Sequence, residues 1–119
     1  MKKILVILCG VILSAASGCC FQKHCKLKIA SDAVLLDVRT LEEYKEGYLA
    51  GAILIPLAEL ESNIVSKVPV KKTPIYIYCR SGRRAGIAAE KLKSLGYSEL
   101  YNLGGLQDAQ EKLDLPIKK

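Results

Sequence analysis

Short apolar runs that break off at helix-start or turn signals recur along this chain, and that alternation restricts its fold more than any other feature. AVLLDV (33–38) is rich in Val and Leu and reads as a buried strand. Thr40-Leu41-Glu42-Glu43 follows with the Thr-x-x-Glu form of a capping box, and Gly47 ends the brief helix it starts. AILI (52–55) is a second strand, stopped by Pro56, after which Leu57, Leu60 and Ile64 fall at helical spacing. IYIYC (75–79) is the third strand, and Ala85, Ala88, Ala89, Leu92 and Leu95 mark one face of a helix over 83–95, with Gly96 as its C-cap. SELYNL (98–103) makes a last strand, Gly104-Gly105 a turn, and 106–113 a final helix. Strands separated by helices predict an α/β fold, with a mainly parallel central sheet flanked by helices on both faces.

The first eighteen residues stand apart. Lys2 and Lys3 precede an uncharged apolar run from Ile4 to Ala16, and small residues follow, the pattern of an export signal too short for a typical membrane span. Ala16-Ser17-Gly18-Cys19 resembles the cleavage box of bacterial lipoproteins, which makes Cys19 the candidate lipidation site; ordinary cleavage to a soluble exported protein is the alternative. The expected division is an export signal over 1–18, a tether over 19–31 and one domain over 32–119. The expected location is the periplasm or the envelope membrane, reached through a lipid anchor. Of the five cysteines, Cys9 falls within the signal, and Cys20 and Cys25 could pair in an oxidising compartment. Cys20, His24 and Cys25 lack a nearby fourth metal ligand, so no metal site is expected. The net charge of +6 includes no basic run interleaved with aromatics, so it favours small anions over nucleic acid.

Cys79 is left without an evident partner, in the loop Cys79-Arg80-Ser81-Gly82-Arg83-Arg84 between a strand and a helix. In open parallel sheets this is where ligands sit. A helix N-terminus and neighbouring cations favour the thiolate, the reactive form of a cysteine. Gly82 lets the backbone turn so that successive N–H groups can face an anion. Cysteine phosphatases place one more residue between nucleophile and arginine than separates Cys79 from Arg84; the position they would require is Ala85. The shorter loop suits a single sulfur atom.

Asp37-Val38-Arg39, EEYKEGYLAGAILIP, CRSGRR and LGYSELYNLGGL, in that order, resemble the rhodanese family of sulfurtransferases, especially its small exported single-domain members. The family commonly shows Gly-His-Ile where this chain has Gly47-Tyr48-Leu49, and Asn where it has Leu54. The resemblance implies a rhodanese-like fold and thiosulfate as donor, with Cys79 carrying the sulfur as a persulfide and cyanide or a thiol accepting it. It implies no metal and no organic cofactor. Arg80 and Arg83 are expected to face outward to gather the donor, while Arg84 turns inward to an acidic partner, and Ser81 and Gly82 supply loop amides. Asp37 and Arg39 have two readings, an ion pair that stabilises the fold or a support for the loop. Glu42 and Glu43 read as a helix cap and a solvated face, and Tyr76 and Tyr78 as packing residues. A monomer is expected. A sulfur carrier without turnover, a cysteine phosphatase or arsenate reductase, and a structural lipoprotein are the competing readings.

Overall fold

The computed structural model describes residues 27–119. The expected export signal, the candidate lipidation site Cys19, and Cys20 and Cys25, which could pair, lie outside the described residues.

Four parallel strands form the central sheet in the order β3-β1-β4-β5: β1 is Val34–Asp37, β3 Ile53–Leu54, β4 Ile75–Cys79 and β5 Leu100–Gly105. The short strands β2 (Tyr48–Leu49) and β6 (Ile117–Lys118) pair antiparallel as a separate ribbon. The helices are α1 (Leu41–Glu46), α2 (Leu60–Lys67, preceded by a 3-10 turn at Leu57–Glu59), α3 (Arg83–Ser94) and α4 (Leu106–Leu113).

Strand β4 is central, and every one of its residues is buried. Because side chains alternate across a strand, its sequence sorts itself onto two faces. Ile75, Ile77 and Cys79 pack with Leu60 and Ile64 of α2 and with Ala85, Ala88 and Leu92 of α3. Tyr76 and Tyr78 face the opposite layer, with Leu35, Leu49, Leu103 and the α4 residues Ala109 and Leu113. The alanines of α3 let that helix approach the sheet closely. Burying each β4 isoleucine contributes about 1.5–3 kcal/mol.

The capping box at Thr40 forms as the sequence predicts. Thr40 Oγ1 accepts from the Glu43 N–H at 3.3 Å, and Glu43 Oε1 accepts from the Thr40 N–H at 3.0 Å. At the end of α3 the C-cap is Leu95; Gly96 follows with φ +103°.

Gly104 and Gly105 are not the expected turn: they are the last two residues of β5. The register moves by one residue between Ile77–Asn102 and Tyr78–Gly104, so Cys79 lies opposite Gly105. A bulge of this kind carries the strand two residues further, to the end of β4. The β2–β6 ribbon has no counterpart in the sequence reading, since two-residue strands carry no periodicity to detect.

Candidate active site

Cys79 ends β4 at the carboxyl edge of the sheet and is the one free cysteine among the described residues. Its side chain is fully buried, and the Gly82 N–H donates to Sγ at 2.9 Å. Gly82 has φ +97°, a left-handed conformation open to glycine at little cost, and it stands at the N-cap of α3 with no side-chain cap on that helix. The first amides of α3 therefore lack an intrahelical acceptor and present partial positive charge at the loop.

Strand β5 supports the loop from beneath. A Cβ on Gly105 would collide with the Arg80 carbonyl oxygen, so only glycine permits this approach. Asn102 Nδ2 donates to the Gly82 carbonyl at 3.0 Å, and its Oδ1 accepts from the Gly104 N–H at 2.8 Å. The Asn102 side chain thus pins the loop to the bulge.

The arginines divide as expected. Arg80 and Arg83 are exposed. Arg84 turns to Glu43, with Nη1–Oε1 at 2.9 Å and Nη2–Oε2 at 3.0 Å, a two-pronged geometry that a guanidinium matches well. Arg80 Nη1 lies 3.9 Å from the same carboxylate. Hydrogen bonding to Arg84 is the main reason the Glu43 carboxyl falls from its ordinary 4.5 to about 2. Glu43 is therefore more than the helix cap of the sequence reading: it joins α1 to the far end of the Cys79 loop. An acidic partner for Arg84 is expected from the sequence, but Glu43 reads there only as a cap, which already accounts for its place in the motif.

Asp37 and Arg39 are buried and paired, Nη2–Oδ2 at 2.7 Å. Asp37 also accepts from the Arg39 backbone N–H at 2.9 Å, and Arg39 Nη2 reaches the Gly47 carbonyl at 2.6 Å. The pair ties β1 to the end of α1. Tyr78 Oη accepts from the Leu49 N–H at 3.1 Å, and burial is the main cause that raises the Tyr78 hydroxyl pKa well above its usual range. Beside the loop lies an open cleft of about 530 Å3, whose lining includes Arg39, Glu46, Arg80, Gly105, Gln107 and Ile117.

A cysteine at a strand end, held by a backbone amide at a helix start, is a place for an anionic sulfur atom. Comparison with known proteins identifies its family: the rhodanese-like domain matches residues 22–112.

The chain belongs to the rhodanese family.

It is 42% identical over 73 residues to the thiosulfate sulfurtransferase PspE of Escherichia coli, covering 61% of this chain and 70% of that protein. It is 38% identical over 86 residues to YrkF of Bacillus subtilis, named as a candidate sulfur carrier protein; the match takes in 70% of this chain but spans less than half (45%) of YrkF. Among solved structures, a rhodanese with anions from E. coli superposes with a TM-score of 0.67 at 38% identity, covering 73% of this chain and 98% of that one. The rhodanese fold expected from the four motifs is the fold observed.

Proposed function

We propose that this rhodanese is a thiosulfate sulfurtransferase that works through a persulfide on Cys79. The observation that carries the reading is the Gly82 N–H donated to Cys79 Sγ at the start of α3. The name of the relative PspE supports thiosulfate as the donor.

The Cys79 thiolate attacks the outer sulfur of thiosulfate. A new S–S bond forms, the S–S bond of thiosulfate breaks, and its electron pair leaves with sulfite. The negative charge passes to the terminal sulfur of the persulfide, where loop amides preorganised around the cysteine stabilise it. Cyanide or a thiol then attacks that terminal sulfur and Cys79 regains its thiolate. Arg80 and Arg83 collect the dianionic donor, and Arg84, bound to Glu43, holds the loop in shape. Ser81 and Gly82 contribute backbone amides to the anion cradle.

Intact-mass measurement after incubation with thiosulfate tests this. A gain of one sulfur that cyanide removes, and that Cys79→Ser lacks, is the expected result. No gain on a free, reduced thiol overturns it. Persulfide that forms but turns over poorly with every acceptor favours a sulfur carrier, the reading that the name of YrkF supports.

The signal-like opening supports export, with Cys19 as a lipid site or with release as a soluble protein. Fractionation of cells expressing the native chain and Cys19→Ala separates the two.

A further inference from the structure

We propose that Asn102 is a positioning residue for sulfur transfer: it holds the start of α3 in the arrangement that stabilises the charge on the Cys79 persulfide. This deepens the persulfide reading given above and rests on it.

Asparagine is a poor strand former, yet Asn102 stands in β5 as the last residue paired before the register shift. Its side chain makes two contacts there. Oδ1 accepts from the Gly104 N–H at 2.8 Å, two residues on, and so closes the bulge. Nδ2 donates to the Gly82 carbonyl at 3.0 Å, 20 residues away in the chain. Glycines leave the room for this. A Cβ on Gly82 would come within 3.1 Å of Gly104 Cα, and one on Gly86 within 3.5 Å of Asn102 Nδ2. One amide group therefore joins the edge of the sheet to the residue whose N–H holds Cys79 Sγ.

The contact bears on charge as well as on position. The Gly82 carbonyl also accepts from the Gly86 N–H at 3.0 Å, the first hydrogen bond of α3. A carbonyl that accepts two bonds polarises its own peptide group, and the N–H of that group belongs to Arg83. That N–H is the first of α3 and has no acceptor within the helix. Asn102 thus fixes the left-handed turn at Gly82 and makes the next amide a stronger donor to an anion at the loop. Both of its bonds are exposed, so they add little to the stability of the whole fold. Their effect is local.

The effect falls on one equilibrium. The Cys79 thiolate and thiosulfate exchange with the Cys79 persulfide and sulfite. The S–S bond of thiosulfate breaks as that of the persulfide forms, and the total charge is the same on both sides. No oxidant or reductant takes part. Amides that hold the terminal sulfur draw this exchange toward the persulfide.

The test titrates the native protein, Asn102→Ala and Asn102→Asp with sulfite at fixed thiosulfate, reading the persulfide fraction by intact mass. Asn102→Ala should lower the sulfite that discharges half the persulfide about tenfold, the scale of one hydrogen bond. Asn102→Asp keeps an acceptor for Gly104 but loses the donor to Gly82, and should shift the midpoint at least as far. The thiosulfate concentration that half-saturates the loading rate should stay near native, because Arg80 and Arg83 are untouched. The melting temperature should also stay near native, as for most exposed substitutions. A native sulfite midpoint in both variants would overturn the proposal. A native midpoint in Asn102→Asp alone would assign the effect to the Gly104 contact and overturn the donor role at Gly82. A shifted midpoint that comes with a large fall in melting temperature would mark a merely structural role and overturn it too. Absence of persulfide on the native protein would remove the sulfurtransferase reading and this one together.

Discussion

Gly105 and the Arg80 carbonyl are packed so closely that a single added methyl group cannot fit between them. The contact sets the height of the Cys79 loop above the sheet, because Gly105 is also the register partner of Cys79.

Gly105→Ala should therefore act on the loop more than on the core. Arg80 must move away, carrying the backbone beside Cys79 with it. A displacement of about 1 Å near reacting atoms can cost about 100-fold in rate. Stopped-flow measurement of persulfide formation should reveal a loss on that scale, with a thermal midpoint close to the native one. A native rate would show that the loop does not depend on this contact.

The Glu43–Arg84 pair makes a prediction about acid. The Glu43 carboxyl is depressed to about 2 from 4.5, so its contribution to stability is fully present above about 4.5 and is lost as pH falls toward 2. Glu43→Gln should destabilise the protein at pH 6, and the gap should shrink steadily below pH 4.5. Thermal melts of the two proteins at pH 6 and pH 3 give the answer; a constant gap would rule out the pair as its source.

Arg80 and Arg83 are exposed, so their pull on the donor should be screened by salt. Replacing either with Ala should raise KM for thiosulfate while leaving the melting temperature within the usual small range for surface substitutions. In the double variant the salt dependence of kcat/KM should flatten. An unchanged KM would assign donor capture to the loop amides alone.

Breaking the buried Asp37–Arg39 pair is a fold prediction. Asp37→Asn leaves Arg39 buried opposite a neutral partner, which should destabilise by about 3–5 kcal/mol. Denaturant unfolding is the measurement. If stability holds but persulfide formation falls, Asp37 supports the loop instead.

The sequence by itself determined most of the architecture. Alternating apolar runs and helix signals fixed the parallel sheet, the Thr40 capping box fixed the start of α1, and the isoleucine–tyrosine alternation of β4 fixed which residues face which layer. These are local properties, set by the period of the backbone and by neighbours a few residues away. The placement of Cys79 at a strand-to-helix junction was legible for the same reason.

Tertiary structure decided the support around that cysteine. Glu43 and Arg84 are 41 residues apart in the chain, and Asn102 reaches the Gly82 carbonyl from 20 residues away. Contacts of that range leave no periodic trace. Gly104-Gly105 shows the limit most plainly. A pair of glycines ahead of a helix reads as a turn, yet here the bulge draws both into β5. Their missing side chains serve the close approach of two backbones, which only the folded sheet brings together.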